Sequence, residues 1–113
     1  MSQRIVLRFH LDTRNQLDSI AAEKGWKSPF LVSKIIEETL PVIDVNSYKV
    51  VKDEYRNLKK GIKEPTATKQ MSVFLSDYAI ETINEIADNH RDRTVFPATV
   101  VRDIVIRWLE NSI

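Results

Sequence analysis

The chain contains no cysteine in 113 residues. Disulfides, thiolate zinc sites and thiol nucleophiles are therefore excluded. A single core at this length can be stable without metal or cross-links. Glycine occurs only twice and proline four times, too few for a fold made of tight turns, so helices are expected to dominate. No apolar run approaches the roughly 20 residues a membrane span needs. The opening residues, Met1-Ser2-Gln3-Arg4-Ile5-Val6-Leu7-Arg8, lack the apolar stretch of a signal peptide. The expectation is a cytoplasmic protein with no membrane partner.

Charge of one sign is also scarce, at a net +1. Residues 1–40 carry six Lys/Arg against five Asp/Glu, residues 41–68 six against four, and residues 69–113 five against seven. Attraction to a polyanion would have to come from local placement, biased toward the first two-thirds. Catalytic patterns are absent as well. There is no glycine-rich phosphate loop, no metal-binding histidine pair and no nucleophile motif. His10 and His90 have no ligand-like neighbours in sequence, and Glu37-Glu38 is explained by a solvated helix face. Neither an enzyme nor a cofactor is expected.

What is present is a pattern that occurs twice. In Arg4-Ile5-Val6-Leu7-Arg8-Phe9, the residues Ile5, Leu7 and Phe9 recur with period two, as in a half-buried strand. Leu17, Ile20 and Ala21 then share one helical face. Asp12 or Thr13 is the expected cap, and Gly25 the expected left-handed stop. Ser28-Pro29 reads as a second helix start, with the Ser28 hydroxyl as cap and Pro29 where a missing N–H costs nothing. That helix presents Leu31, Val32, Ile35, Ile36 and Leu40, and Pro41 ends it.

The order returns with Met71, Val73 and Leu75 in a strand, then Ser76 or Asp77 as a cap. A helix bearing Ile83, Ile86 and Ala87 follows, then a polar break from Asn89 to Thr94. The last helix begins near Pro97 and carries Val100, Val101, Ile104, Val105, Trp108 and Leu109. Strand and first helix repeat with an offset of 66, the second helix with an offset of 69. A three-residue insertion in one loop accounts for the difference. The units are residues 1–40 and 69–113, sharing one core. Residues 41–68 join them and are expected to hold a short helix capped by Ser47, bearing Val51, Tyr55 and Leu58 and closed by Gly61.

Strand, helix, helix in about 40 residues, repeated, resembles the ribbon-helix-helix family of DNA-binding proteins. The resemblance lies in Val6-Leu7-Arg8-Phe9, Leu17-Asp18-Ser19-Ile20-Ala21 and the helix ending at Leu40. It lies again in Ser72-Val73-Phe74-Leu75 and Ile83-Asn84-Glu85-Ile86-Ala87, and covers about 85 of the 113 residues. It implies a mainly α fold with one two-stranded antiparallel ribbon, a tandem ribbon-helix-helix pseudo-dimer within one chain. The implied partner is double-stranded DNA, read by the ribbon in the major groove.

Carried onto this chain, the base-reading positions are Arg4, Val6 and Arg8 with Gln70, Ser72 and Phe74. Arg suits guanine and Val can contact a thymine methyl, while Gln suits adenine, Ser is permissive and Phe offers only apolar contact. Lys27, Ser28, Arg93 and Thr94 lie near the second-helix starts as phosphate-binding candidates. Pro29 and Pro97 each remove one N–H donor there. The second strand has no cation between Gln70 and Ser76, so unequal halves and an imperfectly palindromic site are implied.

Plainer roles stand beside these. Arg4 and Arg8 also suit an edge strand as solvated charges, and a one-residue slip would bury Phe74. His90-Arg91-Asp92-Arg93 reads as a solvated turn, and Trp108 as packing. Trp26 packs in a seam or touches a sugar-phosphate backbone. Lys49, Lys52, Arg56, Lys59 and Lys60 suit a wet helix face or a flank of DNA. The expected function is a transcriptional regulator, a repressor, monomeric in solution and able to assemble cooperatively on DNA. The rival roles are an accessory protein of plasmid transfer or partition and an antitoxin-like protein-binding module.

Overall fold

A computed structural model describes residues 2–50, 70–90 and 95–111. The elements run β1 (Ser2–Leu7), α1 (Leu11–Lys24), α2 (Ser28–Thr39), a 3-10 turn (Leu40–Val42), β2 (Met71–Ser76), α3 (Asp77–Asp88) and α4 (Pro97–Asn111). The protein is thus mostly helical, with four helices and one two-stranded antiparallel sheet among the described residues.

Period-two patterning puts the two strands together. β1 and β2 pair with Arg4 opposite Phe74, Ile5 opposite Val73, Val6 opposite Ser72 and Leu7 opposite Met71. One face carries Leu7, Met71, Val73 and Leu75 into the core, joined by Phe9 just beyond β1. The opposite face is left to solvent, because successive strand residues point to opposite sides. Phe74 is 59% exposed, so the one-residue slip that would bury it does not occur.

Beneath the ribbon, α2 packs on β2 and against α4, while α1 lies along α2 and α3 along α4. α2 and α4 supply the middle of the core through Leu31, Val32, Ile35 and Ile36, and through Val100, Val101, Ile104 and Val105. No helix among the described residues is long and apolar enough to cross a membrane.

Helix ends explain where each element starts and stops. Gly25, at φ 71°, ends α1. Its N–H donates to the Ala22 carbonyl and that of Trp26 to the Ala21 carbonyl, the paired bonds of a Schellman cap. α3 is capped by Ser76, whose hydroxyl accepts from the Ala79 N–H at 3.1 Å. Two caps differ from expectation. α1 is capped by His10, not Asp12 or Thr13: the His10 Nδ1 accepts from the Asp12 N–H at 3.3 Å. His10 and Ser76 are equivalent under the strand and first-helix offset, so one position of the repeat performs one task with two side chains. α2 starts one residue earlier than a Ser28 cap implies, with Lys27 at the N-cap and no side-chain cap bond. α2 ends at Thr39 with Leu40 as its C-cap, just before Pro41 as expected, and a single 3-10 turn from Leu40 to Val42 follows.

After that turn, residues 43–50 run back along α3 and α4. The Asn89 side chain donates to the Val45 carbonyl at 3.2 Å. Val50 is buried, and its N–H donates to Nε2 of the buried His90 at 3.0 Å. The other ring nitrogen of His90 faces the Ile86 carbonyl at 2.8 Å, which fixes the tautomer with the proton on Nδ1. The connector helix expected at Val51, Tyr55 and Leu58 lies outside the described residues.

Candidate functional site

Four of the six base-reading candidates lie on the outer face of the ribbon, and Arg8 and Gln70 flank it just past β1 and just before β2. Arg4, Val6, Arg8, Gln70 and Phe74 are exposed and Ser72 is half-buried. Arg4 lies across from Phe74 and Val6 across from Ser72. The same register carried one step further sets Arg8 against Gln70. Among the described residues, no ion pair engages Arg4 or Arg8. Val6 therefore sits opposite Ser72, its own counterpart in the repeat. The pairing is centred on equivalent positions.

Two helix side chains hold the ribbon's backbone from below. The Ser33 hydroxyl on α2 donates to the Phe74 carbonyl at 2.8 Å. Arg102, the counterpart of Ser33 on α4, donates to the Arg8 carbonyl at 3.5 Å. Arg8 and Phe74 are themselves equivalent strand positions, so the same support recurs with different chemistry. α2 adds a clasp at the end of β2. The Glu37 carboxylate accepts from the Ser76 N–H at 2.7 Å and from its hydroxyl at 2.8 Å. The counterpart of Glu37 on α4 is Ile106, which cannot do this. At the ribbon's other corner the Gln3 amide donates to Asp77 at 2.9 Å and holds that carboxyl below the usual aspartate range.

The phosphate-binding candidates are less uniform. Lys27 is exposed at the start of α2. Ser28 is buried, and its hydroxyl donates to Asp18, which also accepts from Arg14 Nε at 3.1 Å. A carboxylate already occupies that helix N-terminus through Ser28, so Lys27 and backbone N–H groups are what remain for an anion. Arg93 and Thr94 lie outside the described residues.

Trp26 is half-buried against the core, edge-on to Phe30 with ring centroids 5.0 Å apart. Trp108 also packs on the core and borders a cleft of about 310 Å³ with Ile43, Tyr48, Ile104 and Arg107. Among the described residues, no group of three or more His, Asp or Glu is placed to hold a metal.

A polar cluster that pattern-reading missed lies beside this cleft. Asp103, on α4, has no exposed surface. It accepts from the Tyr48 hydroxyl and faces Arg107 Nε at 3.2 Å. Arg107 also lies over the Tyr48 ring at 4.9 Å and donates to the Lys49 carbonyl. Burial first, and then the bond to Asp103, push the Tyr48 phenol well above its ordinary pKa. The one signal in the sequence was negative: Asp103, with Arg102, interrupts the apolar run from Val100 to Val105. No known protein family, curated protein or solved structure matches the chain.

Proposed function

We propose that the chain is a sequence-specific, double-stranded DNA-binding regulator, a repressor acting by occupancy, whose two strand-helix-helix units work as a fused pseudo-dimer. The observation that carries this reading is the ribbon's outer face. Two arginines, a glutamine, a serine and two apolar side chains lie together on one side of the two-stranded ribbon and at its end. A two-stranded ribbon is of a width the major groove admits. Arginine reaching guanine O6 and N7, and glutamine reaching adenine N6 and N7, are the pairings that geometry favours there. Register centred on Val6 and Ser72, together with the recurring support of the Arg8 and Phe74 carbonyls, favours the pseudo-dimer. Net charge is small, so affinity would depend on contacts within the groove and on Lys27 more than on a broad basic field.

The test is a gel-shift titration at fixed salt, on sites selected from a random duplex pool. Arg4→Ala with Arg8→Ala removes two bidentate contacts of about 1–3 kcal/mol each, so at least roughly a thirtyfold loss of specific affinity is expected. Lys27→Ala should weaken all sequences alike and lower the salt slope by about one. Unchanged binding by the double arginine variant would refute the reading. Footprinting then separates repression, with a site across a promoter, from an accessory role beside a transfer or partition site.

A further inference from the structure

The register does more than expose these side chains; it sorts them into two ends. Arg4 lies in β1 and Arg8 follows its last residue, so the two stand on either side of the central Val6–Ser72 pair, roughly 13 Å apart along the chain. A different residue stands near each: Phe74 in β2 pairs with Arg4, and Gln70, just before β2, flanks the last pair Leu7–Met71 at the end where Arg8 follows β1. Each end therefore has one cation, and the ends differ in what stands beside it. A count along the sequence suggests instead that one strand is basic and the other is not.

Phe74 is the unusual member. The residue is 59% exposed on the solvent face of the sheet, while its carbonyl is tied to Ser33. The ring is presented on a fixed backbone and not on a loop. It has no hydrogen-bonding atom, so pressing it against a base edge strips water from acceptors and donors without replacing the lost bonds. The apolar feature of the major groove is the methyl at C5 of a pyrimidine. Gln70, at the other end, can both donate and accept, and it suits adenine.

We infer that the ribbon reads its two ends differently: the Arg4–Phe74 end takes a guanine beside a 5-methylpyrimidine, and the Arg8–Gln70 end takes a guanine beside an adenine. This rests on the DNA-reading function proposed above and adds to it the chemical group each end selects. Thymine and 5-methylcytosine carry the same methyl group, so the Arg4–Phe74 end is sensitive to cytosine methylation as well as to sequence.

The experiment is selection from a random duplex pool with the wild-type protein, Phe74→Ala and Gln70→Ala. Gel shifts on the wild-type consensus follow, with single-base replacements. Selected sites should be asymmetric, with thymine enriched at one end and adenine at the other. Phe74→Ala should lose only the thymine and Gln70→Ala only the adenine. Replacing that thymine by deoxyuridine removes one methyl and should cost the wild type about fourfold in affinity, and Phe74→Ala nothing. Cytosine at the same position should bind as weakly as uracil, and 5-methylcytosine should restore the loss. Phe74→Leu, which keeps an apolar tip, should retain sensitivity to the methyl. Thermal melts confirm that the variants fold. Symmetric sites, or uracil tolerated by the wild type, or methyl sensitivity surviving in Phe74→Ala, would overturn the inference while leaving DNA binding intact. No duplex bound above the random pool would overturn both.

Discussion

Asp103 takes a carboxylate wholly out of solvent, a position that stands only when the charge is paired and hydrogen-bonded. Tyr48 and Arg107 meet that demand, and in doing so they tie the chain after α2 to α4. Tyr48→Phe would remove one hydrogen bond to a buried charge. A loss of about 1.5–3 kcal/mol is expected by urea denaturation at neutral pH. The same residue sets a pH response. Its folded-state pKa is raised above the ordinary tyrosine value of about 10. The stabilisation is therefore fully present below pH 10 and declines as pH rises beyond it, where the unfolded phenol ionises and the folded one does not. Wild type should lose stability in that range faster than Tyr48→Phe, and parallel curves would show that the phenol is not protected. Beyond the polar break at Asp103 in the apolar run of α4, nothing in local patterning announced this cluster. A lone Tyr and a lone Asp far apart in the chain have no periodic relation, and only tertiary packing brings them together. Gly25, in contrast, was legible, because a left-handed helix stop is a local backbone demand that glycine meets without strain. Gly25→Ala should cost about 1–2 kcal/mol on that ground, read from the same denaturation curves.

At the scale of elements, the two first helices are anchored unequally. α1 buries Thr13, Leu17 and Ala21, whereas α3 buries Ala79, Thr82, Ile83, Ile86 and Ala87. The Glu37–Ser76 clasp also belongs to α3 alone. Fewer buried contacts mean a lower free energy of local opening. Amide hydrogen exchange should therefore be faster in α1 than in α3, and equal protection would contradict the difference. Ser76→Ala removes the α3 cap and a donor to Glu37 together, for an expected loss of about 1–2 kcal/mol. Ser76→Ala and Glu37→Ala should be non-additive by at least about 0.5 kcal/mol in a double-mutant cycle, because they share one network. Strand and helix positions followed from periodicity. The caps of α1 and α2 did not, because histidine is not among the residues sought at an N-cap and Ser28 turned its hydroxyl to Asp18.

At the scale of the whole molecule, the sheet exists only because two segments far apart in the sequence, Ser2–Leu7 and Met71–Ser76, pair. Among the described residues each strand has one neighbour, and α2 lies under β2. A fragment of residues 1–50 would leave the β1 edge and the α2 face without their cover, and a strand with no partner is not stable in water. Expressed alone, it should be unfolded by circular dichroism, or folded only as a dimer by sedimentation. A folded monomeric fragment would mean that the units do not share one core. The intact chain is expected to sediment as a monomer near 13.1 kDa.

The sequence alone determined which residues form strands and helices, which face of each is apolar, and that the pattern occurs twice. These follow from periods of two and 3.6, which the backbone imposes on any chain. Tertiary structure decided what no period encodes: that Arg4 meets Phe74, that Val6 meets its own counterpart Ser72, and that Asp103 finds Tyr48. Strand register and side-chain partners depend on how distant segments fill one common volume, and local preference carries no record of that.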